Sequence, residues 1–268
     1  MKILVVSDLH YTLPQFDWVV SVAPAYDLVV IAGDLIDIYS VVDAETQIVV
    51  VLKYLKRLRA LTRVIVCSGN HDLDGLGANG EMQALWMNAV KRLAIPGDGD
   101  TSFIDGTMIT ACAWWDGPLT QKAIGRQLAD AVKYRDGSWI WIYHAPPTNS
   151  PIAWSDTGHR HYGDAALTGW IAEYSPDLVI CGHVHDAPFT REGSWVDRMG
   201  ATWIFNAGRQ IGEVPTSIAI DTDAREAAWF SFDGAESVKL DAPLERPLTP
   251  LTELPAWMGA PGSKVESP

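Results

Sequence analysis

Side chains suited to metal binding and acid–base chemistry recur along the first two thirds of this 268-residue chain. Five of its seven histidines, several aspartates and one asparagine follow short apolar runs. These residues are Asp8, His10, Asp34, Asp37, Asn70, His71, Asp72, His144, His183 and His185. Imidazole, carboxylate and carboxamide donors without thiolate suit Mn, Fe or Zn better than Ca or Mg, which prefer shells of oxygen alone.

The number of these donors matters more than any one of them. A lone polar residue after a strand commonly does no more than end the strand and cap the next element. Many such residues in one crevice would be costly unless cations filled it. Because the donors outnumber those that one metal needs, the sequence predicts two metal ions if the strand ends meet.

Alternating strands and helices are predicted to position these side chains. Apolar runs predict buried strands over residues 3–7, 27–34, 63–70, 139–146, 177–183 and 202–208. Helical patterns cover residues 43–60, 80–94, 119–134 and 164–174. This alternation is typical of an α/β domain, in which function lies at the carboxyl ends of the strands. After about residue 201 the sequence shows no clear helical pattern, and residues 216–234 predict two further strands joined by a turn.

Five short motifs follow the predicted strands. They are Asp-Leu-His (8–10), Gly-Asp-Leu-Ile-Asp (33–37), Gly-Asn-His-Asp (69–72), His-Ala-Pro-Pro (144–147) and Gly-His-Val-His (182–185). Each is weak alone, but in this order they resemble the calcineurin-like metallophosphoesterase family over about residues 1–210. The resemblance implies an α/β (α+β) fold, a four-layer α/β/β/α sandwich of two mixed β-sheets flanked by helices. It also implies a metal-dependent phosphoric ester hydrolase.

The resemblance further implies which residues bind the two metals. It implies one metal held by Asp8, His10, Asp34 and His185, and a second held by Asp34, Asn70, His144 and His183. Asp34 would bridge the two ions, since a carboxylate has two oxygens. A water shared between the ions would become the hydroxide that attacks phosphorus in line with the leaving group.

His71 is the motif histidine that the resemblance leaves without a metal. In the family it lies near the leaving-group oxygen, which implies that His71 donates a proton and that Asp37 orients its imidazolium. The alternative is a structural histidine behind the ligands. Asp72 either supports a metal ligand through a hydrogen bond or serves only as a turn residue.

The substrate is predicted by resemblance alone. The His-Ala-Pro-Pro motif and the small size resemble bacterial cyclic-nucleotide phosphodiesterases, so a small phosphodiester such as a cyclic nucleotide is the leading prediction. A phosphomonoesterase acting on nucleotides or proteins is the alternative, and a non-catalytic scaffold with this fold is a third. A net charge of −13 and the lack of a basic stripe disfavour long nucleic acid as a partner.

Other residues leave two interpretations open. Arg209, after the run 202–208, either contacts a phosphate oxygen or is structural. His159 and His161 lie in a polar loop that either covers the site or is simply solvated. Most of the twelve tryptophans are predicted to pack in the core, but Trp114 and Trp115 are candidates for stacking on a base.

Cysteine usage and segment lengths predict the compartment and the domain boundaries. Cys67, Cys112 and Cys181 lie in or beside apolar runs without a CxxC pair, which predicts free core thiols and a reducing, cytoplasmic location. The N-terminal run is too short for a signal peptide, and no apolar run is long enough to span a membrane. The sequence predicts a metallophosphoesterase domain over residues 1–240 and a Pro-rich tail over 241–268, and it indicates no oligomeric state.

Overall fold

The computed structural model describes residues 1–252, which form two large β-sheets and two short hairpins together with helices. The strands are β1 (Lys2–Val6), β2 (Leu28–Ala32), β3 (Arg63–Cys67), β4 (Gly75–Leu76), β5 (Met82–Gln83), β6 (Thr101–Ile104), β7 (Thr107–Ala111), β8 (Trp139–Ile142), β9 (Trp154–Ser155), β10 (Arg160–His161), β11 (Leu178–Cys181), β12 (Val196–Met199), β13 (Thr202–Asn206), β14 (Ser217–Asp221), β15 (Glu226–Ser231), β16 (Gly234–Lys239) and β17 (Thr249–Pro250). The α-helices are α1 (Leu13–Val22), α2 (Ala44–Leu61), α3 (Met87–Arg92), α4 (Pro118–Ala131) and α5 (Ala165–Tyr174). Short 3₁₀ helices cover Ala23–Ala25, Asn70–Asp72, Val132–Tyr134, Pro151–Ala153 and Ala187–Phe189.

Both large sheets are mixed. The first has seven strands in the order β17-β16-β15-β14-β1-β2-β3, with β1, β2 and β3 parallel and the others antiparallel. The second has six strands in the order β12-β13-β11-β8-β7-β6, with the four central strands parallel and the two edge strands antiparallel. The parallel strands of each sheet therefore present their carboxyl ends on one side.

The sheets pack face to face, and the helices cover their outer faces. In β1, Ile3 and Val5 point into the core between the sheets, whereas Leu4 and Val6 point outward, because successive side chains of a strand alternate. Helices α1, α2 and α3 pack on the outer face of the first sheet. Helices α4 and α5 pack on the outer face of the second. These four layers confirm the predicted α/β/β/α sandwich.

Local sequence explains why α2 begins and packs where it does. The side chain of Asp43 caps the helix by accepting a hydrogen bond from the amide of Thr46 at 2.8 Å. Val51, Leu55 and Leu58 form a buried stripe at helical spacing. The helix predicted over residues 43–60 is thus present, as are those predicted over 119–134 and 164–174.

The prediction of a helix over residues 80–94 is wrong for the first half of that range. Met82–Gln83 forms strand β5, which pairs with β4, and helix α3 covers only Met87–Arg92. The carboxylate of Asp74 accepts hydrogen bonds from the amides of Leu85 and Trp86. These side-chain contacts hold the chain in a turn that periodicity does not reveal, so the helix begins later.

The end of the described chain returns to the first sheet. Strand β17 pairs with β16, and Leu244 and Leu248 pack against the core between the sheets. The boundary that we predict at residue 240 stays a prediction. Most of the predicted Pro-rich tail, residues 253–268, lies outside the described residues.

The cysteines agree with the sequence prediction. Cys67, Cys112 and Cys181 are buried and free. No helix within residues 1–252 is both long enough and apolar enough to cross a membrane.

Candidate metal centre

The first two strands place two aspartates side by side. Asp8 follows β1 and Asp34 follows β2, and both are almost completely buried. The amide of Asp8 donates to the carbonyl of Gly33 at 3.1 Å, and the amide of His10 donates to the carbonyl of Asp34 at 2.9 Å. These contacts hold the loops after the two strands together and bring both carboxylates into one crevice.

The backbone of this crevice is strained. Asp8 and Asp34 each have φ of 54°, His10 has 42° and His183 has 73°. Residues with a side chain seldom adopt this left-handed region, and such strain concentrates at functional sites. The surrounding fold therefore holds these four side chains in directions that relaxed strand ends would not give.

Two histidines complete a first group around the carboxylates. His185 Nε2 lies 3.3 Å from Asp8 Oδ1 and 3.1 Å from His10 Nε2. His10 Nε2 also lies 3.5 Å from Asp34 Oδ2. The candidate ligand atoms of these four residues all lie within 4.8 Å of one another, which makes them a potential metal site.

The remaining predicted ligands lie beside this group. His144 Nε2 is 3.2 Å from Asp34 Oδ2, the same oxygen that faces His10. His183 Nδ1 is 2.8 Å from Asn70 Oδ1. The structure thus brings all seven predicted ligands into one crevice, with Asp34 between two imidazoles. The assignment of each ligand to an ion stays a prediction.

His144 gives an independent indication that the crevice accepts a cation. Its Nδ1 donates to the carbonyl of Ala32 at 2.6 Å, which turns Nε2 toward Asp34 and Asp8. That Nε2 is buried, and its approach to Asp34 Oδ2 at 3.2 Å does not have the angles of a hydrogen bond. Since a buried polar atom without a partner is costly, a metal ion at Nε2 fits the residues present.

The electrostatics of the crevice also favour bound cations. Burial lowers the pKa of His10 and that of His183 to about 4, so both imidazoles are neutral at physiological pH and can present a lone pair. Burial would likewise lower the pKa of His144, but the charges of Asp34 and Asp8 raise it to about 10. The two carboxylates thus require a positive charge, which metal ions supply.

Two glycines leave room for the ligands. A methyl group at Gly69 would lie 2.2 Å from Asp34 Oδ1 and 2.7 Å from His144 Nε2. A methyl group at Gly182 would lie 2.6 Å from Asp8 Oδ2. Neither glycine has a positive φ, so the close approach of ligand side chains explains them.

His71 and Asp37 lie next to the ligands. His71 Nδ1 is 3.2 Å from Asp37 Oδ1, and the His71 ring lies 4.4 Å from that of His10. The ligand atoms of these three residues also lie within 4.8 Å of one another. The predicted catalytic pair is therefore present as a contact at the edge of the metal site.

Gln47 positions Asp37 and was missed by the sequence analysis. It is a buried residue of α2 whose Oε1 accepts from the amide of Asp37 at 2.8 Å. Its Nε2 donates to the carbonyls of Asp37 and Val42. The signal in the sequence is a polar residue one turn before Val51 on the apolar face of the helix.

Asp72 supports the backbone of the site. It is fully buried, and its Oδ1 accepts from the amides of Leu35 and Ile36 at 3.0 and 3.1 Å. Its Oδ2 accepts from the amide of Gly69 at 2.8 Å. Asp72 thus joins the loop after β2 to the loop after β3, which is a larger role than that of a turn residue.

Comparison with known proteins identifies the family. The sequence profile of the family described as calcineurin-like phosphoesterase matches residues 1–187, more than half of the chain. The chain belongs to this family. It is therefore a metal-dependent phosphoester hydrolase by family. A comparison with curated proteins finds no match.

Solved structures of three proteins share the calcineurin-like phosphoesterase fold described above. TT1561 of Thermus thermophilus has a TM-score of 0.56 at 14% identity, with 89% of this chain and 98% of that chain covered. A dimetal phosphatase from Danio rerio has a TM-score of 0.55 at 12% identity, with 85% and 95% covered. Purple acid phosphatase PPD1 from yellow lupin (Lupinus luteus) has a TM-score of 0.51 at 13% identity, with 90% and 51% covered. At such identities the similarity shows the fold alone.

One tryptophan lies at the site of this calcineurin-like phosphoesterase. The half-buried Trp114 ring lies 5.2 Å from the ring of His183 and 5.6 Å from that of His144. Trp115, the other predicted stacking candidate, donates its indole N–H to Asp164 Oδ2 at 3.0 Å. Trp114 is therefore the candidate for contact with a substrate, and Trp115 belongs to a structural network.

The loop that carries His159 and His161 borders the site through other residues. Both histidines are exposed, and His161 packs on Trp154 with its Nδ1 3.2 Å from the carbonyl of Ser150. The hairpin β9–β10 nevertheless forms one wall of a cavity of about 320 Å³. The cavity is lined by Ser155, Thr157, Tyr162, His183, Val184, His185 and Asp186.

We expect Gly69→Ala to weaken metal binding while the fold is kept. The added methyl group would displace Asp34 and His144, and changes that disturb ligand orientation cost about 10- to 100-fold in metal affinity. Metal content after dialysis, measured by mass spectrometry, tests this together with the circular dichroism spectrum.

Gly169→Ala is the matched control for Gly69→Ala. Gly169 lies within α5, and a methyl group there would meet nothing within 4 Å. This variant should keep its metal and gain roughly 0.5–1 kcal/mol in stability. Full metal content in Gly69→Ala would show that the close approach of the ligands is not required.

Proposed function

We propose that the chain is a dinuclear-metal phosphoesterase that acts on a small phosphodiester such as a cyclic nucleotide. The observation that carries the dinuclear site is the position of Asp34. Its Oδ2 faces His10 Nε2 at 3.5 Å on one side and His144 Nε2 at 3.2 Å on the other. A carboxylate between two imidazoles in this way is placed to bridge two ions.

The proposed ligand sets use all seven predicted ligands. The first ion would take Asp8, His10, Asp34 and His185, and the second would take Asp34, Asn70, His144 and His183. Two bound ions would polarise the phosphoryl group and supply a hydroxide nucleophile near neutral pH. Nitrogen and oxygen donors together favour Mn, Fe or Zn.

His71 is the proposed proton donor to the leaving group, and Asp37 is its positioning partner. The contact between Asp37 Oδ1 and His71 Nδ1, at 3.2 Å, leaves Nε2 free to meet the departing oxygen. Gln47 holds the backbone of Asp37. The Asp37 carboxylate therefore stays in place while the His71 imidazolium donates its proton.

We expect His71→Ala to retain both metals and to lose rate unequally. A leaving group of high pKa needs the proton, so alkyl esters should slow by about 100-fold or more, and 4-nitrophenyl esters should slow much less. Steady-state rates on the two ester types test this, with metal content measured in parallel. Exposed His161 offers the matched control, His161→Ala. A similar loss on both ester types would contradict the acid role.

The preference for a small diester is supported by the space beside the ligands. The cavity of about 320 Å³ next to His183 and His185 can receive a second ester substituent. Its hydroxyl-bearing wall is fixed, because Ser155 Oγ donates to Asp186 Oδ2 at 3.0 Å. The Trp114 ring supplies an apolar face nearby.

A comparison of ester types tests the proposed function. Apo protein reconstituted with Mn, Fe, Zn or Mg should hydrolyse bis(4-nitrophenyl) phosphate faster than 4-nitrophenyl phosphate, and chelation should abolish both rates. A diester-to-monoester ratio below one would favour a phosphomonoesterase. Protein that binds two metals without hydrolysing either ester would favour a non-catalytic scaffold.

Trp114→Ala should impair the use of cyclic nucleotides. Loss of stacking on one base weakens binding by about 1–3 kcal/mol, so KM for a cyclic nucleotide should rise by about fivefold or more with metal content unchanged. Trp115→Ala is the comparison, since its loss should lower the melting temperature and leave KM unchanged. An unaltered KM in Trp114→Ala would remove this residue from the substrate site.

A further inference from the structure

The loop after β13 is hydrogen-bonded to the segment that carries the predicted ligands His183 and His185. Asn206 Nδ2 donates to the carbonyl of Val184 at 2.9 Å and to that of Ile152 at 3.0 Å. The amide of Arg209 donates to the carbonyl of His185 at 3.0 Å. The backbone of Arg209 is therefore held directly beside a predicted metal ligand.

The residues around Arg209 have their polar groups satisfied. The amide of Gly208 donates to Asn206 Oδ1 at 2.9 Å, and Thr216 Oγ1 donates to the carbonyl of Gly208 at 2.6 Å. Gln210 accepts from the amide of Phe232 through its side chain at 2.9 Å and from Gln15 Nε2 through its carbonyl at 3.0 Å. Hydrogen bonds thus hold the loop on both sides of Arg209.

The side chain of Arg209 is the exception in this loop. Its Nε is buried and has no hydrogen-bond partner, and its guanidinium makes no ion pair within the part of the chain that the structure describes. A buried donor without a partner is costly. In a chain with 33 acidic residues, an arginine that pairs with none of those described is available to an anion from outside.

Arg209 lies on the metal-site side of the loop. Its amide donates to the carbonyl of His185, a predicted ligand, at 3.0 Å. His185 Nε2 in turn lies 3.1 Å from His10 Nε2 and 3.3 Å from Asp8 Oδ1. Arg209 therefore adds a positive charge beside the crevice.

We propose that Arg209 binds a non-bridging oxygen of the substrate phosphoryl group. Its planar fork of N–H donors matches phosphate oxygens, and its charge would stabilise the negative charge that grows on them during attack. This inference rests on the proposed function, since it concerns the substrate of the same site. It makes Arg209 a catalytic residue alongside the proton donor His71, which Asp37 positions.

A purely structural role is separable from this one. The structural contact of Arg209 uses its amide, which any residue except proline retains. Replacing the side chain therefore leaves the loop fastened to Val184 and His185. The variants Arg209→Gln and Arg209→Lys test the side chain alone.

The probe is inorganic phosphate titrated by calorimetry into the full-length chain loaded with metal. Removal of a charged hydrogen bond should raise the phosphate Kd of Arg209→Gln by about 10- to 100-fold, with metal content and melting temperature unchanged. Arg209→Lys should recover part of the affinity, since lysine keeps the charge and loses the fork. Arg57→Gln is the matched control, because Arg57 is exposed and contacts Asp17 and the Tyr54 ring rather than the crevice.

Each outcome decides between the roles. Phosphate binding that is equal in Arg209→Gln and the wild type would overturn the inference, while hydrolysis by both would leave the proposed function standing. If phosphate binding depends on Arg209 but the wild type hydrolyses no ester, the proposed function is overturned instead. Loss of metal or of fold in Arg209→Gln and Arg209→Lys alike would make Arg209 structural. If only Arg209→Gln unfolds, weakened phosphate binding by folded Arg209→Lys supports the inference, and unchanged binding overturns it.

Discussion

Two buried carboxylates, those of Asp8 and Asp34, are the constraint on which the rest of the site depends. Each is oriented by a backbone amide, that of His183 for Asp8 at 3.0 Å and that of His71 for Asp34 at 2.8 Å. Burying two negative charges is unfavourable unless positive charge compensates them. The left-handed backbone at Asp8 and Asp34, and the imidazoles that surround them, are consequences of holding that charge in place.

The predicted ligands come from both halves of the sandwich. The first sheet supplies the carboxylates of Asp8 and Asp34, and the second supplies the imidazoles of His144, His183 and His185. The site therefore lies across the joint between the sheets, and the apolar core between them sets the distances. Small residues at the joint follow from the same geometry, since any side chain at two of the motif glycines would enter the space that the ligands occupy.

The predictions that succeeded rest on local patterns, and those that failed depend on tertiary contacts. Continuous apolar runs revealed the parallel strands, because a strand that is buried on both faces is apolar at every position. The motifs placed the ligands through family resemblance. The turn before α3, by contrast, depends on the side chain of Asp74, and the role of Gln47 depends on a loop packed against its helix. Trp114 and Trp115 are adjacent in the sequence, and only the packing of their rings separates them.

The length of chain between the two halves of the site has a kinetic consequence. Asp8 and His183 are in contact across 175 residues, and β1 also needs β14, which lies later still, as its neighbour. Contacts so distant in sequence form slowly, because a long loop must close before they stabilise anything. During synthesis, Asp8 and Asp34 are made long before the histidines of the second sheet. The complete ligand set can therefore bind metal only after these long-range contacts have formed.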